Sequence, residues 1–466
     1  MFELTPILDE KLETPLYIQL YEFIKQQIEK NNIEKGTQLP SKRKLAEYLS
    51  TSRNTVENAL AQLIAEGYVE SVPRVGLFVA DISDSILHHQ HKQINILKDP
   101  IEESPSFKYD FSQGHVDLNY FPYKTWKKLM IQCLQIEEKE LLLGGHSQGE
   151  VELREEIAHY LYQSRGVKCT AEQIVVGAGT QYLLGLICRL MGREAVCALE
   201  EPCFHRSRET IRSHGMKIIP IDVEVDGLKV DDLTNTNANL VYVTPSHQFP
   251  TGGILNIQKR YKLLEWANEN NAYILEDDYD GEFRYRGKPI PALQGLDTYD
   301  RVIYLGTFSK SFIPSLRISY IVLPKHFIVK HYDHIIFQKQ TVSRVNQKAL
   351  ELFMKEGHWG RHLNKMRTLY RKKQKVLQKT ILEKFEDRVK VIGIDSGLHI
   401  LLQVHLAETE DSLIQKAENH CVKVYPSSVY YFGDNPTEFP QILLGFGGLS
   451  ETEIMEGIER LHQAWF

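Results

Sequence analysis

The sequence LGTFSKSFIPSLRISYIVLP, residues 305–324, contains a lysine directly after an apolar segment that predicts a β-strand. Lys310 is flanked by the hydroxyl groups of Thr307 and Ser309, and Arg317 follows in the same stretch. A charged amine is costly to bury unless it is paired or chemically changed. A lysine after a strand is more often structural than catalytic, so its position at the end of a core strand raises a question that the neighbouring motifs must answer.

Apolar, strand-like segments alternate with helical ones from about residue 108 onward. The strand candidates are residues 174–179, 195–201, 240–245, 272–278, 301–306 and 317–324. Such alternation predicts an α/β fold with a large, mostly parallel sheet. Residues from about 345 to 466 predict a smaller C-terminal lobe, so that the whole body spans residues 108–466.

Composition restricts the functions that the chain can have. With 466 residues the chain is too long for one compact domain, and its net charge of −6 gives no overall basic surface for nucleic acid, so DNA binding must be local. We expect no signal peptide and no membrane span, because no apolar run approaches roughly 18 residues. Six cysteines without a C-x-x-C pair predict reduced thiols in the cytoplasm rather than a metal site.

Residues 1–80 predict a separate unit of three helices and a β-ribbon. Apolar residues recur at every fourth position from 16 to 28, as on one side of an amphipathic helix. A second helix begins after Ser41, a favoured N-cap residue, and a third helix ends at Gly67. Residues 68–80 predict two short strands around a turn. This order is that of a winged helix-turn-helix domain.

Polar side chains crowd the starts of the second and third helices and the wing. Hydroxyl groups and helix N-termini bind phosphates, whereas arginine and asparagine recognise base edges. This placement favours DNA binding over a helical cap or a dimerisation module. The predicted DNA-binding residues are Ser41, Arg43, Ser52, Arg53, Asn54, Thr55 and Arg74.

Residues 39–79 resemble the winged-helix domain of the GntR family. The family's L-P-S-x-R-x-L-A motif matches residues 39–46, and its S-R-x-T-V motif matches residues 52–56. The resemblance implies that Arg43, Arg53 and the wing contact DNA. The wing itself, VGLFV at residues 75–79, departs from the usual G-x-G-T-F-V.

Residues 81–107 predict a linker, because they have no sustained periodicity and mix charged residues with His, Ser and Pro. The HHQH sequence at residues 88–91 is a candidate metal ligand set, but a solvated linker is the favoured interpretation, and we predict no metal site.

Polar residues follow several predicted strands, and ligands of such sheets bind beyond the carboxyl ends of the strands. Residues 177–181 open a helix suited to a phosphate, residues 276–280 provide carboxylates and a phenol, and residues 307–317 add hydroxyls, a lysine and an arginine. Together they describe a pocket for pyridoxal 5′-phosphate (PLP). A lysine forms a Schiff base with its aldehyde, a carboxylate pairs with its ring nitrogen, and an arginine with hydroxyls holds its phosphate.

Residues 108–466 resemble the fold type I aminotransferases, and head and body together resemble the MocR subfamily of GntR regulators. The family's E-D-D-Y-D-x-E-F-R-Y motif matches residues 276–285. The resemblance implies Lys310 as the Schiff-base lysine, Asp277 at the pyridine nitrogen and Tyr279 near the cofactor oxygen. It further implies a ring-stacking Phe204, the phosphate ligands Gly179, Thr180, Thr307, Ser309 and Arg317, and Arg206 as an effector-binding residue.

Three positions depart from the family pattern, and one of them is Gly144, where many relatives carry a tyrosine. Leu443 stands where amino-acid-binding members carry an arginine that grips the ligand carboxylate, and Phe249 stands where the enzymes carry an asparagine. Charged hydrogen bonds are worth about 1.5–3 kcal/mol each. A free α-amino acid is therefore expected to bind about 10²-fold more weakly unless another group, such as Arg206, substitutes.

The resemblance predicts a cytoplasmic transcriptional regulator that binds PLP and a double-stranded DNA operator as a head-to-tail homodimer. PLP is itself the signal in members that control vitamin B6 synthesis (PdxR-like), whereas an amine or amino acid attacks the imine in GabR-like members. Leu443 favours the first possibility. A working aminotransferase with a vestigial head is the alternative.

Overall fold

The computed structural model describes residues 6, 8, 9, 12, 14–82, 107–285, 287, 289–433 and 437–466. The chain divides into two compact units, Met1–Ser104 and Pro105–Phe466. Of the predicted linker at 81–107, only residues 81, 82 and 107 are among those described, and the HHQH sequence lies outside them. No helix in the described part of the chain is long and apolar enough to cross a membrane.

The N-terminal unit contains the three predicted helices and the predicted ribbon. Helices α1, α2 and α3 span Leu16–Glu29, Lys42–Tyr48 and Arg53–Ala65, and Ser41 caps α2 by accepting a hydrogen bond from the Lys44 amide. The ribbon strands β2 (Val69–Val72) and β3 (Gly76–Val79) are joined by β1 (Gln38–Leu39) in an antiparallel sheet of order β1-β3-β2. Strand β1 was not predicted, because two residues are too few to show a period.

An eight-stranded mixed sheet forms the centre of the body. Its order is β5-β12-β11-β10-β9-β6-β7-β8. The neighbouring strands from β7 to β11 pair in parallel, whereas β12 runs antiparallel to both of its neighbours. The strands are β5 Ile174–Gly177, β6 Val196–Glu201, β7 Lys217–Glu224, β8 Gly227–Leu228, β9 Leu240–Val243, β10 Tyr273–Asp278, β11 Val302–Thr307 and β12 Ser319–Val322.

All six predicted strands are present, and β7 is the long strand that was not predicted. Pro220 interrupts its pattern, and its residues are mostly half-buried or exposed. A proline within a run argues against a central strand.

Helices cover both faces of the sheet. Residues on one face, such as Leu275 and Ile303, pack in a different apolar cluster from residues on the other face, such as Ile274 and Tyr304. These helices are α4 Tyr123–Cys133, α5 Val151–Arg165, α6 Thr180–Met191, α7 His205–Ser213, α8 Ile257–Glu269, α9 Lys325–Ile336 and α10 Arg344–Lys355.

The smaller lobe is built from two separate parts of the chain. Its antiparallel sheet has the order β13-β14-β17-β16, and a parallel pair, β4 with β15, joins the beginning of the body to its end. Helix α10 lies in the predicted lobe of residues 345–466, yet its apolar residues pack in the core of the large domain. The elements are β4 Tyr109–Asp110, α11 His358–Phe385, β13 Val389–Ile392, β14 His399–Val404, α12 Glu410–Asn419, β15 Val422–Lys423, β16 Tyr425–Pro426, β17 Gln441–Gly445 and α13 Glu451–Trp465.

A buried ion pair fastens residues 111–117 to the small lobe. Lys373 Nζ, on α11, lies 2.7 Å from Asp117 Oδ2 and donates a further hydrogen bond of 2.9 Å to the Gly447 carbonyl. Both side chains are almost completely buried. Burial lowers the pKa of Lys373, and the Asp117 carboxylate opposes that effect. The pair therefore fixes the segment that leads from β4 into the large domain.

We expect Lys373→Met to destabilise the protein by about 3–5 kcal/mol, because it leaves the Asp117 carboxylate buried without its cation. Urea unfolding followed by circular dichroism measures the loss. The matched control is Lys379→Met on the same helix, whose exposed ammonium pairs with Glu383, and there we expect a change within about 0.5 kcal/mol. Equal stability of the two variants would contradict the role given to the buried pair.

Candidate functional site

A cavity of about 370 Å³ opens at the carboxyl ends of β9, β10 and β11. Such a volume is typical of a site for a small organic ligand. The cavity brings together predicted site residues from four separate parts of the sequence, and their roles remain predictions. Those that line it are Thr180, Phe204, Arg206, Asp277, Tyr279, Thr307, Ser309, Lys310 and Arg317, and Gly179 lies against Arg317.

Alternation along β10 separates the carboxylates of the EDDYD segment. Asp277 and Tyr279 line the cavity. Asp278 instead pairs with the Arg165 guanidinium, with Nε 2.6 Å from Oδ2, and Glu276 accepts hydrogen bonds from the backbone amides of residues 293 and 294. The period of two therefore leaves a single carboxylate of this strand for a ligand in the cavity.

Asp277 has one oxygen without a partner. Its Oδ2 accepts a hydrogen bond from the Tyr242 hydroxyl, which also lies 3.0 Å from Ser207 Oγ, whereas its buried Oδ1 has no hydrogen-bond partner among the described residues. Burial raises the pKa of Asp277 to about 7. An unsatisfied buried carboxylate oxygen in a cavity fits a ligand with a cationic N–H, as the pyridinium ring of PLP has.

Tyr242 was not predicted as a site residue. It lies in β9, whose neighbour in the sheet is β10, and its register partner there is Leu275. The two strands are about thirty residues apart in sequence, and the sequence of neither strand predicts that they pair. A tyrosine in an otherwise apolar strand was the available signal.

The opposite end of the cavity is suited to an anion. Helix α6 begins at Thr180, and Gly179 before it has φ 95°. Arg317 donates a 3.4 Å hydrogen bond from Nη2 to the Ala178 carbonyl, and Thr307 Oγ1 accepts hydrogen bonds from the Ser309 amide and from Ser319 Oγ. A helix N-terminus, an arginine and hydroxyl groups are the usual partners of a phosphate.

Lys310 is half-buried and hydrogen-bonded to one residue. Its Nζ donates to the Gln113 carbonyl oxygen and to Gln113 Oε1, the latter at 3.0 Å. Burial lowers the pKa of Lys310 to about 8, although the Asp280 carboxylate opposes this shift. A larger fraction of the amine is therefore uncharged near neutral pH than in an exposed lysine, as a nucleophile requires. Gln113 was not predicted, because it lies outside any periodic element.

Tyr279 is held by a histidine that was also not predicted. His247 Nδ1 lies 2.9 Å from Tyr279 Oη and 2.9 Å from Asp280 Oδ1, and the two rings stack with centroids 5.7 Å apart. His247 and Asp280 are both buried. This network fixes the direction in which the Tyr279 phenol points.

Two of the three family departures form one apolar wall. Phe249 is buried, and its ring centroid lies 5.1 Å from that of Phe204 and 4.8 Å from that of Tyr430, both in edge-to-face geometry. Leu443 is completely buried in the same cluster. Arg206 lines the cavity and is exposed to solvent. The part of the cavity beside Phe249 is therefore aromatic, and Arg206 is among the residues that line the cavity.

The predicted DNA-binding residues lie on the N-terminal unit, and six of the seven are exposed. Ser52 caps α3 by accepting a 3.1 Å hydrogen bond from the Thr55 amide, and Arg43 pairs with Glu47 at 2.9 Å. Arg74 has φ 64° in the turn between β2 and β3. Thr55 is half-buried beside its cap. These residues occupy the starts of α2 and α3 and the ribbon turn, while their contacts with DNA stay a prediction.

Comparison with known proteins agrees with both units. Residues 108–461 match the family described as aminotransferase class I and II, and residues 16–79 match bacterial regulatory proteins of the gntR family. The crystal structure of Pyrococcus horikoshii kynurenine aminotransferase covers 82% of this chain and 96% of its own, with a TM-score of 0.69 and 24% identity.

Relatives match over the whole architecture. The HTH-type transcriptional regulator YdeL of Bacillus subtilis, named as uncharacterized, is 46% identical over 99% of both chains. The probable rhizopine catabolism regulatory protein MocR of Rhizobium meliloti is 32% identical, covering 98% of this chain and 95% of its own. The pyridoxine biosynthesis transcriptional regulator PdxR of Corynebacterium glutamicum is 30% identical, covering 94% and 93%.

A GntR helix-turn-helix unit followed by an aminotransferase-like body defines a class of transcriptional regulator. The chain belongs to the MocR-type subfamily of the GntR family. The class I and II aminotransferase fold and the unsatisfied Asp277 Oδ1 support PLP as its cofactor.

We expect Gly179→Ala to weaken PLP binding at least about tenfold, because the new Cβ would lie 2.1 Å from Arg317 Nη2. Gly192→Ala, at the other end of α6, is the matched control: its φ of 87° imposes the same kind of strain, yet its Cβ would meet nothing within 4 Å. Absorbance titration with PLP separates the two. Equal PLP affinities in both variants would contradict the anion site.

Proposed function

We propose that this protein is a PLP-responsive regulator whose body binds PLP covalently through Lys310 and thereby changes the affinity of its N-terminal unit for an operator. The observation that carries the proposal is the buried, unpartnered Asp277 Oδ1 in the same cavity as a lysine whose pKa is lowered to about 8. An acceptor for a cationic ring nitrogen and a nucleophilic amine are the two requirements that PLP makes of a protein.

Each described group has a distinct task in this proposal. Bound PLP supplies an aldehyde and an electron-withdrawing pyridine ring. Asp277 accepts a hydrogen bond from the ring nitrogen, and Tyr242 holds that carboxylate in place. Phe204 packs on the ring, and Tyr279, oriented by His247, donates its phenol hydrogen toward the cofactor oxygen. The residues that would hold the phosphate are Gly179, Thr180, Thr307, Ser309 and Arg317.

The apolar wall favours PLP itself as the signal. With Leu443 buried and Phe249 beside it, a free amino acid finds no arginine at the position of the usual carboxylate ligand. PdxR, named as a regulator of pyridoxine biosynthesis, supports the same role, namely control of vitamin B6 synthesis. The second candidate is an amine or amino acid that reacts at the cofactor while Arg206, at the cavity, binds its acidic group.

An aminotransferase is the alternative of another class, because the body shares its fold with such enzymes. Incubation of the PLP-loaded protein with common amino acids and a keto acid tests it. Turnover comparable with that of ordinary enzymes, about 10 s⁻¹, would establish an enzyme.

We also propose a head-to-tail homodimer in the cytoplasm that presents two N-terminal units to an operator. Large apolar side chains are exposed on the body and suit contact with a second copy. Among them are Leu118, Tyr123, Ile131, Leu134, Leu142, Leu143 and Phe337. Sedimentation analysis at micromolar concentration decides whether the chain dimerises.

Titration of operator binding against PLP, with and without candidate amines, tests the proposal as a whole. If PLP alone changes the operator affinity, PLP is the signal. If the change requires an amine in addition, the second candidate is correct. Operator affinity that is independent of both ligands would overturn the proposal.

We expect Arg53→Ala to weaken operator binding by about 1–3 kcal/mol, because Arg53 is exposed in the first turn of α3, where a base contact is predicted. Lys30→Ala is the control, since it removes one exposed positive charge at the end of α1. Fluorescence anisotropy with labelled operator measures both. If Arg53→Ala and Lys30→Ala lose the same operator affinity, Arg53 contributes only its positive charge and makes no base contact.

The rate of covalent PLP binding is expected to rise about tenfold between about pH 7 and about pH 9 and then to level off, because the lowered pKa of Lys310, about 8, means that its amine is mostly uncharged above that pH. Stopped-flow absorbance follows the reaction. A rate that keeps rising beyond about pH 10, as for an ordinary lysine, would contradict the lowered pKa. Lys310→Ala should bind PLP without the visible absorption change.

A further inference from the structure

The amine of Lys310 holds a specific chain segment in place. Its Nζ donates two hydrogen bonds, and both acceptors, the main-chain oxygen and Oε1, belong to Gln113. Gln113 lies in residues 112–115, which we call the Gln113 segment. Phe111 alone separates this segment from β4, and β4 begins two residues after the predicted linker ends.

The other side of the Gln113 segment lies against glycines of the small lobe. A Cβ added to Gly445 would lie 2.4 Å from Gln113 Cα, one added to Gly447 would lie 2.5 Å from the His115 carbonyl oxygen, and one added to Gly448 would lie 2.6 Å from His115 Cβ. The Gly445 amide also donates a 2.7 Å hydrogen bond to the Phe111 carbonyl. The segment is therefore packed between the small lobe and the lysine, with no room to move toward the lobe.

Covalent binding of PLP removes at least one of the two donors. When Nζ attacks the aldehyde, nitrogen and carbon become joined by a double bond, and the two hydrogens of the neutral amine leave with the aldehyde oxygen as water. Nζ then carries no hydrogen, or a single one if it is protonated, so Gln113 loses at least one of its two N–H partners. A buried polar group left without a partner is unfavourable, so the segment must find another arrangement.

We propose that Gln113 is a positioning residue. When Lys310 Nζ forms its covalent bond, the hydrogen bonds to Gln113 change, the Gln113 segment rearranges, and this rearrangement affects β4 and so the linker that precedes it. The proposal rests on the proposed function, because it requires covalent PLP binding at Lys310. The Gly114 and His115 amides report the state of the segment: their hydrogen bonds stay within it, to Ser112 Oγ at 3.3 Å and to the Ser112 carbonyl at 3.4 Å.

Hydrogen–deuterium exchange of the full-length protein tests the first half of this proposal. Four samples are compared: the unaltered protein and Lys310→Ala, each with and without PLP. We expect slow exchange at residues 113–116 only in the unaltered protein without PLP, and exchange several-fold faster in the other three, which all lack one or both of the Nζ–H donors. Equal exchange in the two PLP-free proteins would overturn the proposal.

Operator binding tests the second half. Gln113→Ala removes the Oε1 acceptor and keeps the main-chain acceptor, so we expect it to lose part of the PLP-dependent change in operator affinity, measured at PLP concentrations at which the visible absorption shows the site to be filled. Gln181→Ala is the matched control, since Gln181 also lines the cavity but hydrogen-bonds Thr210 instead of the lysine. A full response in Gln113→Ala would overturn the relay. Absence of the visible absorption in the unaltered protein would instead overturn the proposed function, so the two failures are distinguishable.

Discussion

Burial of an amine and a carboxylate in one cavity is the constraint on which the body depends. The pKa of Lys310 is lowered to about 8 and that of Asp277 is raised to about 7, because burial disfavours the charged form of each. Removing a charged group from water is unfavourable unless the group is paired or hydrogen-bonded. Gln113 and Tyr242 satisfy part of the hydrogen-bonding capacity, and Asp277 Oδ1 is left for a ligand.

The reversed direction of β12 is what completes the cavity. Thr307 ends β11 and is paired with Ser319 near the start of β12, so the antiparallel turn returns the chain to the same edge of the sheet. Arg317 lies in that turn with φ 53°, and its guanidinium reaches the residue before Gly179. A parallel β12 would have placed Arg317 at the opposite edge, away from the helix that begins at Thr180.

Motifs and periodicity were sufficient to predict the fold class, the N-cap at Ser41 and the end of the third helix at Gly67. They also predicted the cavity residues that belong to continuous motifs. The residues that the sequence did not reveal act across the sheet or between lobes. Tyr242 reaches Asp277 from the neighbouring strand, and Gln113 reaches Lys310 from a segment 197 residues away. Neither contact leaves a local pattern, because it depends on strand order and on the pairing of β4 with β15, which is a tertiary property. β7 was missed because Pro220 argues locally against a strand that its neighbours stabilise.

A ligand shifts a conformational equilibrium only to the extent that it binds the two states unequally. In the proposed mechanism, the residues that would hold the phosphate and ring of PLP line the cavity at the carboxyl ends of the strands, and their contacts would contribute affinity. Lys310 Nζ is different, since its hydrogen-bonding capacity itself changes when the covalent bond forms. Its acceptors lie on a segment confined by Gly445 and Gly447, and in the proposed relay that chemical change displaces the chain that leads toward the N-terminal unit. The apolar wall of Phe249 and Leu443 fits this use of the fold, in which a stable bond to the cofactor matters more than rapid exchange of amino acids.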